Sequence, residues 1–125
     1  MRRQRQVLVG RVYDSRGVED GARVLVDRLW PRGLTKNQAD VDEWCKQIAP
    51  SAALRKWYRH DPDRFAEFSR RYRAELDDPD RADALRHLRE LAKRRPLILL
   101  TATRTAHLSA AAVLADLLNI EKKSG

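Results

Sequence analysis

The chain opens with an apolar, β-branched run, Val7-Leu-Val-Gly-Arg-Val-Tyr13, which predicts a strand. Turn-forming residues fill 14–21 and end it. Alternation resumes over 23–29, with Val24, Val26 and Arg28 on one face and Leu25, Asp27 and Leu29 on the other, predicting a second strand. Trp30-Pro-Arg-Gly33 breaks it, because proline removes an N–H donor and glycine permits positive φ. Residues 34–40 read as loop and 41–45 as a short strand.

The period then changes. Behind a capping Ser51, Leu54, Trp57 and Tyr58 follow the i, i+3, i+4 spacing of a short helix over 52–59. Asp61-Pro62 starts a second helix with the stripe Phe65, Phe68, Tyr72 and Leu76. Asp78-Pro79 repeats that signal for a third, packed by Ala82, Leu85, Leu88 and Ala92 and closed by Lys93, Arg94, Arg95 and Pro96. Leu97-Ile-Leu-Leu100 is apolar at every position, as a strand buried on both faces must be, so it belongs at the centre of the sheet. A last helix is expected over 105–118.

This order predicts an α/β fold: a single three-layer-like domain over 7–120, with a small, mainly parallel sheet covered by helices. A basic tail, 1–6, precedes it and a short tail, 121–125, follows. Ligands of open α/β sheets collect at the carboxyl ends of strands. That rule brings the 28–32 turn and the loop Thr101-Ala-Thr-Arg-Thr105 to one edge.

With 125 residues and 42% hydrophobic composition, the chain is sized for one core. Its longest strand-like apolar run, 97–100, is far short of the roughly 18 residues a membrane span needs. The basic start imitates a secretion leader, but Arg11 and Asp14 interrupt any apolar stretch. With the lone Cys45, read as a small buried thiol, this points to the cytoplasm.

The net charge of +8 suggests nucleic acid, yet Arg2, Arg3 and Arg5 together with Glu121, Lys122 and Lys123 account for half of it. Such tails bind polyanions weakly and in a salt-dependent way. In the body, acids and bases interleave, as on a solvated helix face.

Chemistry concentrates at the 28–32 turn. Arg28 and Arg32 are suited to fork onto a phosphate or carboxylate, and Trp30 to stack on a ring. The competing structural reading buries Arg28 against Asp27 or Glu43, with Trp30 and Pro31 filling core. Lys36 and Arg55 are further cations for the same ligand, although Arg55 lies on the solvent side of its helix by period. Thr103 and Thr105 sit where a buried strand meets a helix start, whose free amides attract anions, and each also suits a simple cap. His60 and Asp27 are the acid/base candidates, with His107 a further imidazole in the first turn of the last helix. Asp61, next to His60, is already accounted for as a cap. Three histidines and one cysteine show no metal-ligand spacing, and Gly10, Gly17, Gly21 and Gly33 form no phosphate loop, so neither metal nor cofactor is expected.

Arg11-Val-Tyr-Asp14, Asp20-Gly21, Arg23-Val-Leu-Val-Asp-Arg-Leu-Trp-Pro-Arg-Gly33, Lys36, Trp44, Ala49-Pro-Ser51, Leu54-Arg55 and Leu99-Leu100 resemble the YeaO-like family of small bacterial domains of unknown function. The resemblance covers almost the whole chain and implies an α/β domain in a bacterial cytoplasm, with no established activity. Members of that family commonly carry a tyrosine, an acid or amide, and an asparagine or histidine around the late strand and the helix after it. This chain has Thr101, Thr105 and Ser109 there. Hydroxyls bind phosphate but are poor bases, which shifts the expectation from catalysis to binding.

The leading expectation is a module for a small anionic or phosphorylated ligand, such as a nucleotide or nucleic-acid phosphate. Two alternatives stand beside it. One is an enzyme acting on a phosphoester or glycosidic bond through His60 or Asp27, and the other is a protein-interaction module anchored by an exposed Trp30. The sequence carries no marker of oligomeric state.

Overall fold

The computed structural model describes residues 7–14 and 21–124. The 1–6 tail and most of the loop expected at 14–21 lie outside them. Four strands form one sheet: β1 (Val7–Arg11), β2 (Ala22–Leu25), β3 (Glu43–Trp44) and β4 (Leu97–Thr101), in the order β1-β4-β2-β3. Every pairing is parallel. As its sequence demands, β4 is central and buried along its length. Its register runs from Val7 opposite Leu97 to Arg11 opposite Thr101 on one side, and from Ala22 opposite Leu97 to Leu25 opposite Leu100 on the other. The Val26 N–H extends the β2 side by donating to the Leu100 carbonyl. The carboxyl ends of β1, β4 and β2 therefore share one edge.

Alternation along the strands sorts the core into two clusters. Val7, Val24, Val26, Leu97 and Leu99 face the helices α1 (Ala52–Tyr58), α2 (Phe65–Glu75), α3 (Pro79–Arg94) and α4 (Ala110–Ser124). All four helices contribute buried side chains to this cluster, among them Leu54, Phe68, Leu88 and Leu114. The α2 stripe behaves as its spacing predicts: Phe68 stacks on Tyr58 at 4.1 Å between centroids and on Tyr72 at 5.9 Å. Each such buried side chain contributes about 1.5–3 kcal/mol. On the opposite face, Leu25, Ile98, Leu100 and Val12 are covered by Trp30, Leu34, Val41 and Trp44. The layer on that side is thus built by the 28–44 connection, while the helices gather on the other.

That connection buries an arginine. Arg23 is 0% exposed, with Nε donating to the Asp40 carbonyl, Nη2 to the Asp14 carbonyl at 2.8 Å, and its backbone N–H to Asp42 Oδ2 at 2.9 Å. Its position alternates with Ala22 and Val24, so it points into the loop-covered face.

The end of the chain differs from expectation. A 3-10 turn, Ala106–Leu108, precedes α4, so the helix begins at Ala110 and not at 105. Thr105 makes no side-chain cap; Ser109 sits before the helix and accepts weakly from Ala112 N–H at 3.4 Å. The helix also runs past 118 to Ser124, and Glu121 pairs with Arg89 at 2.7 Å, so most of the segment expected as a tail is helical. Asn119 on this helix holds the first residue of β1, accepting from Val7 N–H at 2.7 Å and donating to its carbonyl at 3.0 Å.

Candidate functional site

The site begins where β2 ends. Past Val26 the chain leaves the sheet at Asp27, which turns back toward the end of β4. Its Oδ1 accepts from the Thr101 hydroxyl and its Oδ2 from the Ala102 N–H, both at 2.8 Å. Its carbonyl accepts from Trp44 Nε1 at 2.8 Å. Burial pushes the Asp27 carboxyl above its usual range, and the donors from Ala102 and Thr101 and the neighbouring His60 and Arg55 only partly offset this.

From this anchored residue the next five positions line a cavity of about 570 Å3. Arg28 and Arg32 are exposed on it, and neither has an acidic partner among the described residues. The competing partners are taken elsewhere: Glu43 holds His87 at 2.8 Å, and Asp27 is bonded to the β4 end. The buried arginine knot of this fold is made by Arg23, and Arg28 has no acidic partner among the described residues.

Trp30 is half-buried rather than an exposed anchor. Its Nε1 donates to the Leu34 carbonyl at 2.6 Å and its ring meets Trp44 edge-on at 5.5 Å, because the second face of the sheet needs covering. The exposed side chain of this turn is Leu29, at 73%.

The opposite contribution comes from α1, which carries Arg55 and ends in Tyr58. Its start is fixed from three sides. Ser51 Oγ accepts from Leu54 N–H at 3.2 Å, and Glu75 accepts from both the Ser51 N–H and its hydroxyl. Arg81 Nε donates to the Ala49 carbonyl at 2.9 Å, and Tyr72 donates to that of Ile48. Ala49 and Pro50 thereby become rigid wall. Arg55 is exposed as its period predicts, yet it lines the cavity without an ion-pair partner among the described residues.

His60 follows α1 in a left-handed conformation (φ 56°), directly after Arg59 (φ 52°). Two successive non-glycine residues there cost energy, and the turn sets His60 at the cavity. Asp61 has the capping role its position implies, accepting from Asp63 N–H at 3.0 Å. Thr101, Thr103 and Ser109 complete the polar lining. Ser109 takes its place through the 3-10 turn, whose Leu108 carbonyl accepts from the Tyr58 hydroxyl at 2.6 Å.

Asp27, Arg28, Trp30, Arg32, Arg55, His60 and Thr103 are thus brought together, although Arg28 and Thr103 are 75 positions apart. Lys36 and Thr105 do not line the cavity; both are exposed on loops. His107 lies in a separate shallow cleft with Arg11 and Arg104. The buried Cys45 is inert, its thiol pushed up to about 11 chiefly by burial, with the Glu43 charge adding to it. No three metal-ligating side chains cluster among the described residues, and no described helix is long and apolar enough to cross a membrane.

A family profile described as the inactive DUF488-N3 subclade matches residues 6–124. The chain belongs to this subclade. The chain is similar to uncharacterised proteins of Mycobacterium tuberculosis and Mycobacterium bovis, each 50% identical over 119 residues, spanning 95% of this chain and 98% of the relative. The uncharacterised protein YeaO of Escherichia coli is 43% identical over 106 residues, 85% of this chain and 90% of the relative. The YeaO-like resemblance carried by the 23–33 string is therefore a family relationship. No solved structure matches the chain.

Proposed function

We propose that the cavity binds a small anionic or phosphorylated ligand. One observation carries this reading: Arg28, Arg32 and Arg55, none held by an acid among the described residues, line a single cavity. Guanidinium groups left unpaired around a cavity are preorganised donors for phosphate or carboxylate oxygens. The position at the carboxyl ends of parallel strands and the Thr103 hydroxyl support it further. The description of the subclade as inactive favours binding over turnover.

A second reading, an enzyme acting on a phosphoester or glycosidic bond, draws on His60 and Asp27 lining the same cavity. Asp27 suits it poorly, because each of its oxygens already accepts a hydrogen bond from β4 or the loop after it. The interaction-module reading loses its anchor with Trp30 packed on Trp44. A cytoplasmic location, and weak salt-dependent nucleic-acid binding by the 1–6 tail, remain part of the proposal.

Thermal denaturation in a series of inorganic phosphate concentrations tests the reading. Wild type gains stability with phosphate, as a ligand that binds only the folded state requires, and Arg32→Ala loses that gain. An equal gain in both proteins defeats the proposal.

A further inference from the structure

The walls of the cavity narrow the ligand class, and we infer that the site takes a phosphomonoester carried on an apolar ring; this rests on the anion-binding reading above. Charge comes first. Arg28, Arg32 and Arg55 face one carboxylate, Asp27, which is engaged by Thr101 and Ala102. Three cations against one carboxylate leave an excess that a monoanion only half compensates and a dianion balances. A phosphomonoester dianion presents three terminal oxygens, which planar guanidinium forks bind in pairs, with the Thr103 hydroxyl as a further donor.

Apolar surface supplies the second constraint. The same cavity is lined by Leu29, Trp30 and Pro31 from one segment and by Ala49, Pro50 and Tyr58 from another. Leu29 is 73% exposed, the most open large apolar side chain among the described residues. A bare phosphate would leave these groups in water and fill little of about 570 Å3. Pockets of some 300–1,000 Å3 with apolar walls and a few convergent polar groups are the usual setting for a ligand with an organic body. A ring esterified to the phosphate covers the apolar lining while the arginines hold the dianion.

Calorimetric titration of the full chain with phenyl phosphate, phenyl sulfate and inorganic phosphate tests both constraints, phenyl sulfate having a similar shape with one charge fewer. Phenyl phosphate should bind about tenfold more tightly than either of the others. Leu29→Ser, an exposed change, should reduce the advantage of phenyl phosphate over inorganic phosphate. Equal binding of phenyl sulfate and phenyl phosphate overturns the dianion claim, and equal binding of inorganic and phenyl phosphate overturns the ring claim. Both results leave the anion reading standing. Absence of binding by all three removes that reading and this inference together.

Discussion

The Thr101 hydroxyl donates to Asp27 Oδ1 at 2.8 Å across 74 positions of sequence, tying the end of β2 to the end of the central strand. The pair joins fold to site, since the chain passes directly from Asp27 into the Arg28–Arg32 turn. Burial raises the Asp27 carboxyl above its ordinary 3.8, so the folded state holds this proton more tightly than the unfolded chain. The resulting stabilisation is complete below the ordinary carboxylate value and is lost as pH rises through the raised one. Asp27→Asn has no proton to lose there, and the Thr101 hydroxyl can rotate to accept from the new amide. The melting temperature of Asp27→Asn relative to wild type should therefore climb as pH rises from 3.8. A difference that stays constant with pH would show that Asp27 does not titrate in this way.

Ser51 connects helix capping to the site. Ser51→Ala removes the cap to Leu54 and one of the two donors held by Glu75, which should cost about 1–2 kcal/mol in urea unfolding. Because α1 carries Arg55, the variant should also respond less to phosphate. A fully stable variant would mean that Glu75 alone fixes the start of α1.

Arg23 is a structural arginine, and its loss should be more damaging than that of any cavity arginine. Arg23→Ala strips the donors from the Asp40 and Asp14 carbonyls and empties a fully buried volume. A loss of at least about 3 kcal/mol is expected. Arg23→Lys should recover only part, lacking the fork that reaches two carbonyls. Arg32→Ala, at an exposed position, should fall within about 0.5 kcal/mol of wild type. The reverse ranking by denaturant unfolding would exchange their roles.

Cys45 should resist alkylation at pH 8 in the folded protein and react rapidly in denaturant, because the nucleophile is the thiolate and burial holds the thiol near 11. Equal rates in the two states, followed by mass spectrometry, would contradict the buried assignment.

Much of this architecture was legible in the sequence. The unbroken apolar run at 97–100 marks a central strand, and the spacing of Phe65, Phe68 and Tyr72 marks a buried helix face, because both are local patterns. The strand-end rule likewise brought Arg28 and Arg32 to the same edge as Thr103. What escaped depends on distant parts of the chain. Arg23 alternates correctly for a strand, but only the return of the 28–44 connection over the sheet buries it. Trp30 reads both as an exposed anchor and as core, and only Trp44 placed against it decides for packing. Ser109 rather than Thr105 precedes the last helix because a 3-10 turn intervenes, and Lys36 shares a loop with the site arginines without reaching the cavity. Asn119 offered a signal, a polar side chain between the apolar Leu118 and Ile120, but its partner Val7 is 112 positions away.

The central claim is that Arg28, Arg32 and Arg55 form one anion-binding unit. Calorimetric titration with inorganic phosphate, at fixed ionic strength, compares wild type, a chain with all three changed to alanine, and a chain with Arg2, Arg3 and Arg5 changed to alanine. Binding that persists when the tail is neutralised and vanishes in the cavity variant is the predicted result. Undiminished binding in the cavity variant, or loss of binding with the tail, would contradict it.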